Sequence, residues 1–188
     1  MIRTDASTRR ALAALTTFAL IGAALPAQAN QGADLNASLP EAVRVPAGNT
    51  VLLQTLAMGQ ITYECKESKD APGTHAWTFV VPHATLYDSA NAMVGRYFGG
   101  PTWEHTDGSR VVGKQVAVSP NTGTPKSIPL QLVQAASTTG EGAMNKVSYI
   151  QRLNTKGGVA PATACDASNK GARQLVSYEA DYVLYTRM

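Results

Sequence analysis

The C-terminal segment shows the clearest alternation of apolar and polar positions in the chain. Between residues 176 and 184, five apolar residues at every second position (Val176, Tyr178, Ala180, Tyr182, Leu184) alternate with Ser177, Glu179, Asp181 and Val183. Successive side chains of a β-strand point to opposite faces, so this period of two predicts a strand with one buried face. We expect its aromatic residues to form a ladder that points into the core.

Shorter alternating or apolar segments occupy most of the chain before it. Predicted strands cover residues 51–57, 60–65, 76–81, 84–87, 93–98, 111–118, 128–135 and 146–153. A turn is expected at Met58-Gly59, and Pro82 is expected to end a strand because it lacks a backbone N–H. In all, about nine or ten antiparallel strands and no convincing amphipathic helix are predicted. This pattern favours a single all-β domain, either a β-sandwich or a partly closed β-barrel.

Residues 97–114, YFGGPTWEHTDGSRVVGK, form the segment richest in turn residues, aromatic rings and charges. Gly99-Gly100-Pro101 is expected to break a strand. Asp107-Gly108 predicts a two-residue type I′ turn, in which both central residues have positive φ. The segment therefore predicts a hairpin that carries several side chains able to bind a ligand or transfer a proton.

The N-terminus predicts an export signal. Three arginines and one aspartate precede the apolar run 11–25, and Ala27-Gln28-Ala29 provides a cleavage site, so residues 1–29 are interpreted as a signal peptide. Residues 30–49, with two prolines and no sustained period, are interpreted as an N-terminal arm, and residues 50–188 as the β-rich domain. The predicted location is secreted or periplasmic, without a membrane anchor after cleavage.

Charge changes this picture little. The full chain carries 16 basic and 13 acidic residues, and removing residues 1–29 leaves 13 and 12. A near-neutral mature chain gives no support for a nucleic-acid partner or an anionic membrane surface. The mature length is sufficient for one domain that folds as a monomer without a metal.

Cys65 and Cys165 are the two cysteines of the chain. Because an exported protein enters an oxidising compartment, a disulfide between them is the expected state. The alternatives, a reactive cysteine or a pair of metal ligands, lack the CxxC spacing that would favour them.

The sequence contains no motif for a cofactor, a phosphate loop or an activated serine, so no cofactor is expected. His75, His83 and His105 match no metal-ligand spacing, and no metal site is predicted. Glu104 and Asp107 leave open a glycoside hydrolase, which needs two carboxyl groups at a set separation and one raised pKa. Catalytic residues are otherwise not identifiable.

A non-catalytic binding module for a polar extracytoplasmic ligand, such as a sugar or a cell-wall fragment, is the preferred hypothesis. Its candidate ligand-binding residues combine an aromatic face with donors and acceptors: Trp103, Glu104, His105, Asp107, Lys114, Arg152 and Lys156. The hairpin 100–114 and the turn 152–158 would then form one rim, with Trp103 at least partly exposed. Two alternatives stay open. Arg152 and Lys156 could pair with Glu179 or Asp181, and a purely structural envelope protein would bury Trp103.

Several short motifs resemble one known family. They include Gly100-Pro101-Thr102-Trp103, Asp107-Gly108-Ser109, Val112-Gly113-Lys114, Tyr149-Ile150-Gln151-Arg152, Asn154-Thr155-Lys156-Gly157-Gly158 and Tyr178-Glu179-Ala180-Asp181-Tyr182. On these motifs the mature chain resembles domain-of-unknown-function family 3455, found in exported bacterial and fungal proteins. Leu130 departs from the family pattern, in which tryptophan more often follows the proline. The resemblance implies an exported β-rich domain with a shared cysteine pair, and no established activity.

Overall fold

The computed structural model describes residues 35–188, which form eight β-strands after a short N-terminal segment. One turn of helix covers residues 35–38, and a 3₁₀ helix covers Glu41–Val43. The strands are β1 (Asn49–Glu67), β2 (His75–Tyr87), β3 (Met93–Phe98), β4 (Thr102–His105), β5 (Arg110–Ser119), β6 (Leu130–Thr139), β7 (Val147–Gly157) and β8 (Arg173–Arg187). None of the helices in this part of the chain is long and apolar enough to span a membrane. The predicted signal peptide, residues 1–29, lies outside the described residues.

Each strand pairs antiparallel with the next, and β8 pairs back onto β1, so the sheet closes into a barrel. The all-β, antiparallel prediction is confirmed. The sequence left a sandwich and a partly closed barrel open, and the observed sheet is a single closed ring. Eight strands replace the nine or ten that were predicted.

The expected turn at Met58-Gly59 is wrong, because β1 runs through it without interruption. Gly59 has a packing role instead. A Cβ atom at this position would lie 2.0 Å from the carbonyl oxygen of His83 on β2. Glycine is therefore required by the close approach of two strands and not by a change of direction.

Pro82 does not end a strand either, since β2 continues from His75 to Tyr87. Pro82 is opposite Ile61 of β1, but pairing of β2 with β3 begins only at His83. One flank of β2 is thus unpaired before His83. An unpaired flank is where a sheet tolerates the missing N–H of proline.

The barrel has two ends, which carry different loops. One end carries loops 68–74, 99–101, 120–129 and 158–172, and we call it the disulfide end because Cys65 and Cys165 lie there. The opposite end carries loops 88–92, 106–109 and 140–146. The position of a side chain is therefore described by the end of the barrel at which it lies and by whether it is on the inner or the outer face.

The barrel interior is filled by the main hydrophobic core. As the alternation predicted, Tyr178, Ala180, Tyr182 and Leu184 of β8 all lie in this core. The aromatic ladder is confirmed, and each of these four residues is at most 3% exposed. Val176 packs against the same core from the disulfide end, where it is only partly buried.

A second apolar cluster lies outside the barrel, beneath the N-terminal segment. Val43 and Val45 pack with residues on the outer faces of β6, β7 and β8, among them Leu153 and Val183. At its centre the fully buried Gln151 donates from Nε2 to the carbonyl oxygen of Val43 at 2.7 Å. The segment before β1 is thus packed onto the sheet, with its polar groups satisfied.

The predicted disulfide is present between Cys65 and Cys165, whose Cα atoms are 5.5 Å apart. It joins the end of β1 to the long loop 158–172. The same loop is held by the indole of Trp77, which donates to the carbonyl oxygen of Thr163 at 2.8 Å. Loop 158–172 is therefore fastened to the barrel at more than one point.

Candidate functional site

The tip of the 97–114 hairpin is a three-residue loop rather than the predicted type I′ turn. His105 accepts a hydrogen bond from the backbone N–H of Gly108 and donates one to the carbonyl oxygen of Ser109, at 3.0 and 2.9 Å. Gly108 has φ of 87°, whereas Asp107 is not among the residues with positive φ. This is a type I turn followed by a glycine in the left-handed region, the second common hairpin solution.

Asp107 fastens this tip to the neighbouring loop 140–146. Its Oδ1 accepts from the backbone N–H and the hydroxyl of Ser109, at 2.8 and 2.6 Å, and its Oδ2 accepts from the N–H of Ala143 at 2.9 Å. These hydrogen bonds hold the pKa of the Asp107 carboxyl far below its usual range, and the largest contribution comes from the Ser109 hydroxyl. Asp107 therefore has a structural role at the end of the barrel opposite the disulfide.

Replacing Asp107 with asparagine is expected to lower the melting temperature at neutral pH, because an amide nitrogen in place of Oδ2 cannot accept from Ala143. A depressed folded-state pKa contributes stability above the unfolded value of about 3.9 and loses it as the pH falls through the folded value. The difference in melting temperature between wild type and D107N should therefore become smaller below about pH 4. Melting curves across pH check this, with D70N, a change in an exposed loop, as the control. A gap independent of pH would contradict this explanation.

Glu104 and Lys156 are both held by ion pairs on the surface of the barrel. Arg96 contacts Oε1 of Glu104 at 2.6 Å, and Arg110 binds its other oxygen. Lys156 lies 2.9 Å from Glu179, the pairing that the sequence had left as an alternative. These residues therefore have partners within the protein, and exposed ion pairs of this kind contribute little stability.

The hydrolase alternative finds no geometric support in these two carboxylates. Neither Glu104 nor Asp107 lines the cavity that opens at the disulfide end of the barrel. The lowered pKa of Asp107 is also opposite to the raised pKa that a general acid needs.

Trp103 is fully buried, so the expected exposed ring is wrong. Its indole packs against Tyr97 and Tyr182, with ring centroids 4.7 and 5.3 Å away. Space for the ring depends on Gly113, where a Cβ atom would lie 3.0 Å from Cζ3 of Trp103 and 2.3 Å from Val133. The tryptophan of the hairpin is a core residue, and it offers no free face to a ligand.

A cavity of about 590 Å³ opens at the disulfide end of the barrel. We call it the cup. Its wall is largely apolar, and part of it is formed by Ile61, Tyr63, Phe79, Ile128 and Tyr178. Gly99, Gly100 and Pro101 of the β3–β4 turn complete the rim. Trp103 lies directly behind this wall, since it contacts both Tyr97 and Gly113, which line the cup.

Of the seven candidate ligand-binding residues, the cup brings together two, Arg152 and Lys114. The 99–101 turn and Arg152 therefore lie at the same end of the barrel, as the sequence suggested. The Asp107-Gly108 tip is at the other end. The residues that the sequence analysis assigned to one rim therefore lie at opposite ends of the barrel, because hairpin 97–114 runs the length of the barrel wall.

Most of the residues that line the cup could not be identified from the sequence. Tyr97, Gln131 and Ile128 belong to different strands and loops, and nothing local distinguishes them as lining residues. Tyr178 is the exception: its place in the β8 alternation already assigned it to the inner face. What could not be derived was that the interior stays unfilled above it.

Two tyrosine hydroxyls are buried in the barrel, those of Tyr178 and Tyr182, and within residues 35–188 each lies close to the other and makes no hydrogen bond to the backbone. Burial raises the pKa of both. Arg152 is opposite Tyr182 on the neighbouring strand, and its positive charge acts in the opposite direction on the pKa of each tyrosine. The largely apolar lining of the cup thus includes the cation Arg152 and the hydroxyl-bearing Tyr178.

Within residues 35–188, no group of three histidine, cysteine, aspartate or glutamate side chains converges to hold a metal ion. His105 has Nδ1 at 3.0 Å from Asp107, at the end of the barrel away from the cup.

Comparison with known proteins gives one match. No curated protein and no solved structure matches the chain significantly. The model of a family described as "Protein of unknown function (DUF3455)" matches residues 46–186, from just before β1 to the end of β8. The resemblance noted from the short motifs is thereby confirmed, and the chain belongs to the DUF3455 family.

Proposed function

We propose that this protein is an exported, non-catalytic binding module that takes a small molecule into the cup. The cup itself carries the proposal, because a closed barrel with about 590 Å³ of open, largely apolar volume at one end is the usual form of a small-molecule site. Export is supported by the disulfide and by the signal-like N-terminus.

The properties of the wall favour a ligand with an apolar body over a sugar. A carbohydrate site was suggested by Trp103 as a stacking ring, and that ring is buried. The faces that remain available in the cup are those of Phe79, Tyr63 and aliphatic residues, with Arg152 and Lys114 as the charged groups. Apolar contact would supply most of the binding free energy, and the polar groups would set orientation.

A bulky side chain in the cup should block ligand binding. Gln115 lines the cup and is exposed, so Gln115→Trp adds bulk there, and it also removes the hydrogen bond that Gln115 Oε1 accepts from the side chain of Gln131. Titration with the neutral fluorophore Nile red should show binding to wild type and at least about tenfold weaker binding to Q115W. The neighbouring Val116 is also exposed but does not line the cup, so V116W serves as the matched control and should bind as wild type does. Equal binding by Q115W and wild type would contradict the proposal.

A further inference from the structure

Arg152 has an unusual position for an arginine. It is opposite Tyr182 on β8, and two residues along β7 from Ile150, so it shares the inner face with these two core residues. Its Nε and Nη2 donate to the carbonyl oxygen of Pro129, at 3.2 and 2.9 Å. The other N–H groups of the guanidinium make no hydrogen bond to any residue from 35 to 188.

The charge of Arg152 is not balanced by a neighbouring acid. Every ion pair among the described residues involves other cations, and Arg152 has no carboxylate within 4.0 Å. The lining of the cup contains no aspartate or glutamate, while Lys114 adds a second positive charge that has no ion-pair partner within residues 35–188. A charge costs free energy to the extent that it is removed from water, and an anion bound beside the half-buried Arg152 would offset that cost.

The tyrosines give a second, independent indication. Tyr178 lines the cup and is 3% exposed, and within residues 35–188 its buried hydroxyl has no neighbour to bond except the equally buried hydroxyl of Tyr182. Buried hydroxyl groups in native proteins nearly always have a hydrogen-bond partner. Two hydroxyls that face each other can share only one of their two protons, so the second proton is left for a ligand, on the same inner face as the Arg152 cation.

Resting on the proposed function, we infer that the ligand is an organic carboxylate, whose anionic group binds the guanidinium of Arg152 beside the Tyr178 hydroxyl and whose hydrocarbon body lies against the apolar wall. Arginine offers a planar pair of N–H groups that matches the two oxygens of a carboxylate. A neutral lipid would leave this charge unbalanced, and a free inorganic anion would leave the apolar wall exposed to water.

Calorimetric titration with octanoate and with octanol tests this, because the two differ in the carboxylate and share the hydrocarbon chain. Wild type should bind octanoate at least about tenfold more tightly than octanol, and Arg152→Gln should weaken octanoate about 10- to 100-fold with little effect on octanol. Lys156→Gln removes the same charge from the outer surface, at a residue paired with Glu179, and should bind octanoate as wild type does. Should R152Q fail to fold, Arg152→Lys, which keeps the charge, should retain the preference for octanoate.

The outcomes separate the two proposals. Equal affinity of wild type for octanoate and octanol, with Q115W weakening both, would overturn the carboxylate inference and leave the binding module intact. Loss of octanoate binding in K156Q as large as in R152Q would also overturn it, since net charge and not the cup would then govern affinity. If neither octanoate, octanol nor Nile red binds wild type, the proposed function fails together with the inference.

Discussion

Replacing Trp103 with alanine is expected to lower the free energy of unfolding by about 3 to 5 kcal/mol. The indole is completely buried and packs between Tyr97 and Tyr182, so its removal leaves a cavity in the centre of the barrel and ends two aromatic contacts. Equilibrium urea denaturation of the oxidised protein measures this change.

Two comparisons sharpen the Trp103 experiment. Trp103→Phe should lose about 1 to 2 kcal/mol, because it leaves a smaller cavity and the indole Nε1 has no hydrogen-bond partner to lose. Phe79→Ala, at a residue 54% exposed, should change stability by less than about 1 kcal/mol. A loss in W103A no larger than that in F79A would show that the tryptophan is not a core residue.

Removing the disulfide should have an effect of similar size. The bond closes a segment of 100 residues, for which the chain-entropy model gives about 4.7 kcal/mol, within a usual range of about 2 to 5 kcal/mol for native disulfides. The double substitution of Cys65 and Cys165 by alanine should therefore shift the urea midpoint strongly downward. Wild type with dithiothreitol should unfold at nearly the midpoint of the double variant. Two free thiols in the unfolded, unreduced wild type would refute the disulfide itself.

The strand content of this chain could be predicted because alternation reports directly on a sheet with one buried face. In β8, Tyr178 and Tyr182 alternate with polar residues over most of the strand, and the structure places both inside the barrel. The ends of strands were harder to predict. Glycine and proline usually interrupt strands, yet Gly59 and Pro82 both lie within strands. Gly59 allows β2 to approach β1 closely, and Pro82 pairs with β1 on one side while β3 does not reach it on the other.

The candidate site was predicted less well, for a related physical reason. Residue type suggested that Trp103 and Asp107 were ligand contacts, but whether an aromatic ring is exposed depends on strands distant in sequence. Tyr182 of β8 covers one side of that ring. Arg152 and Lys114 were named from the sequence as candidate ligand-binding residues, and both line the cup, which the sequence did not predict. Their common feature, a lumen without carboxylates, emerges from the pairing of all eight strands.

Closure of the ring by β1 and β8 has a consequence for how the chain acquires its structure. Residues 49–64 pair with residues 173–187, so the first strand of the barrel finds one of its two partners only when the last has been made. Until then β1 presents one unpaired flank, and bringing such distant segments together costs chain entropy before any contact offsets it. We therefore expect folding to be slow compared with that of helical proteins of this length and to complete only after β8 has been synthesised. The cup, whose lining includes Ile61 of β1 and Tyr178 of β8, therefore forms only when these two strands have paired.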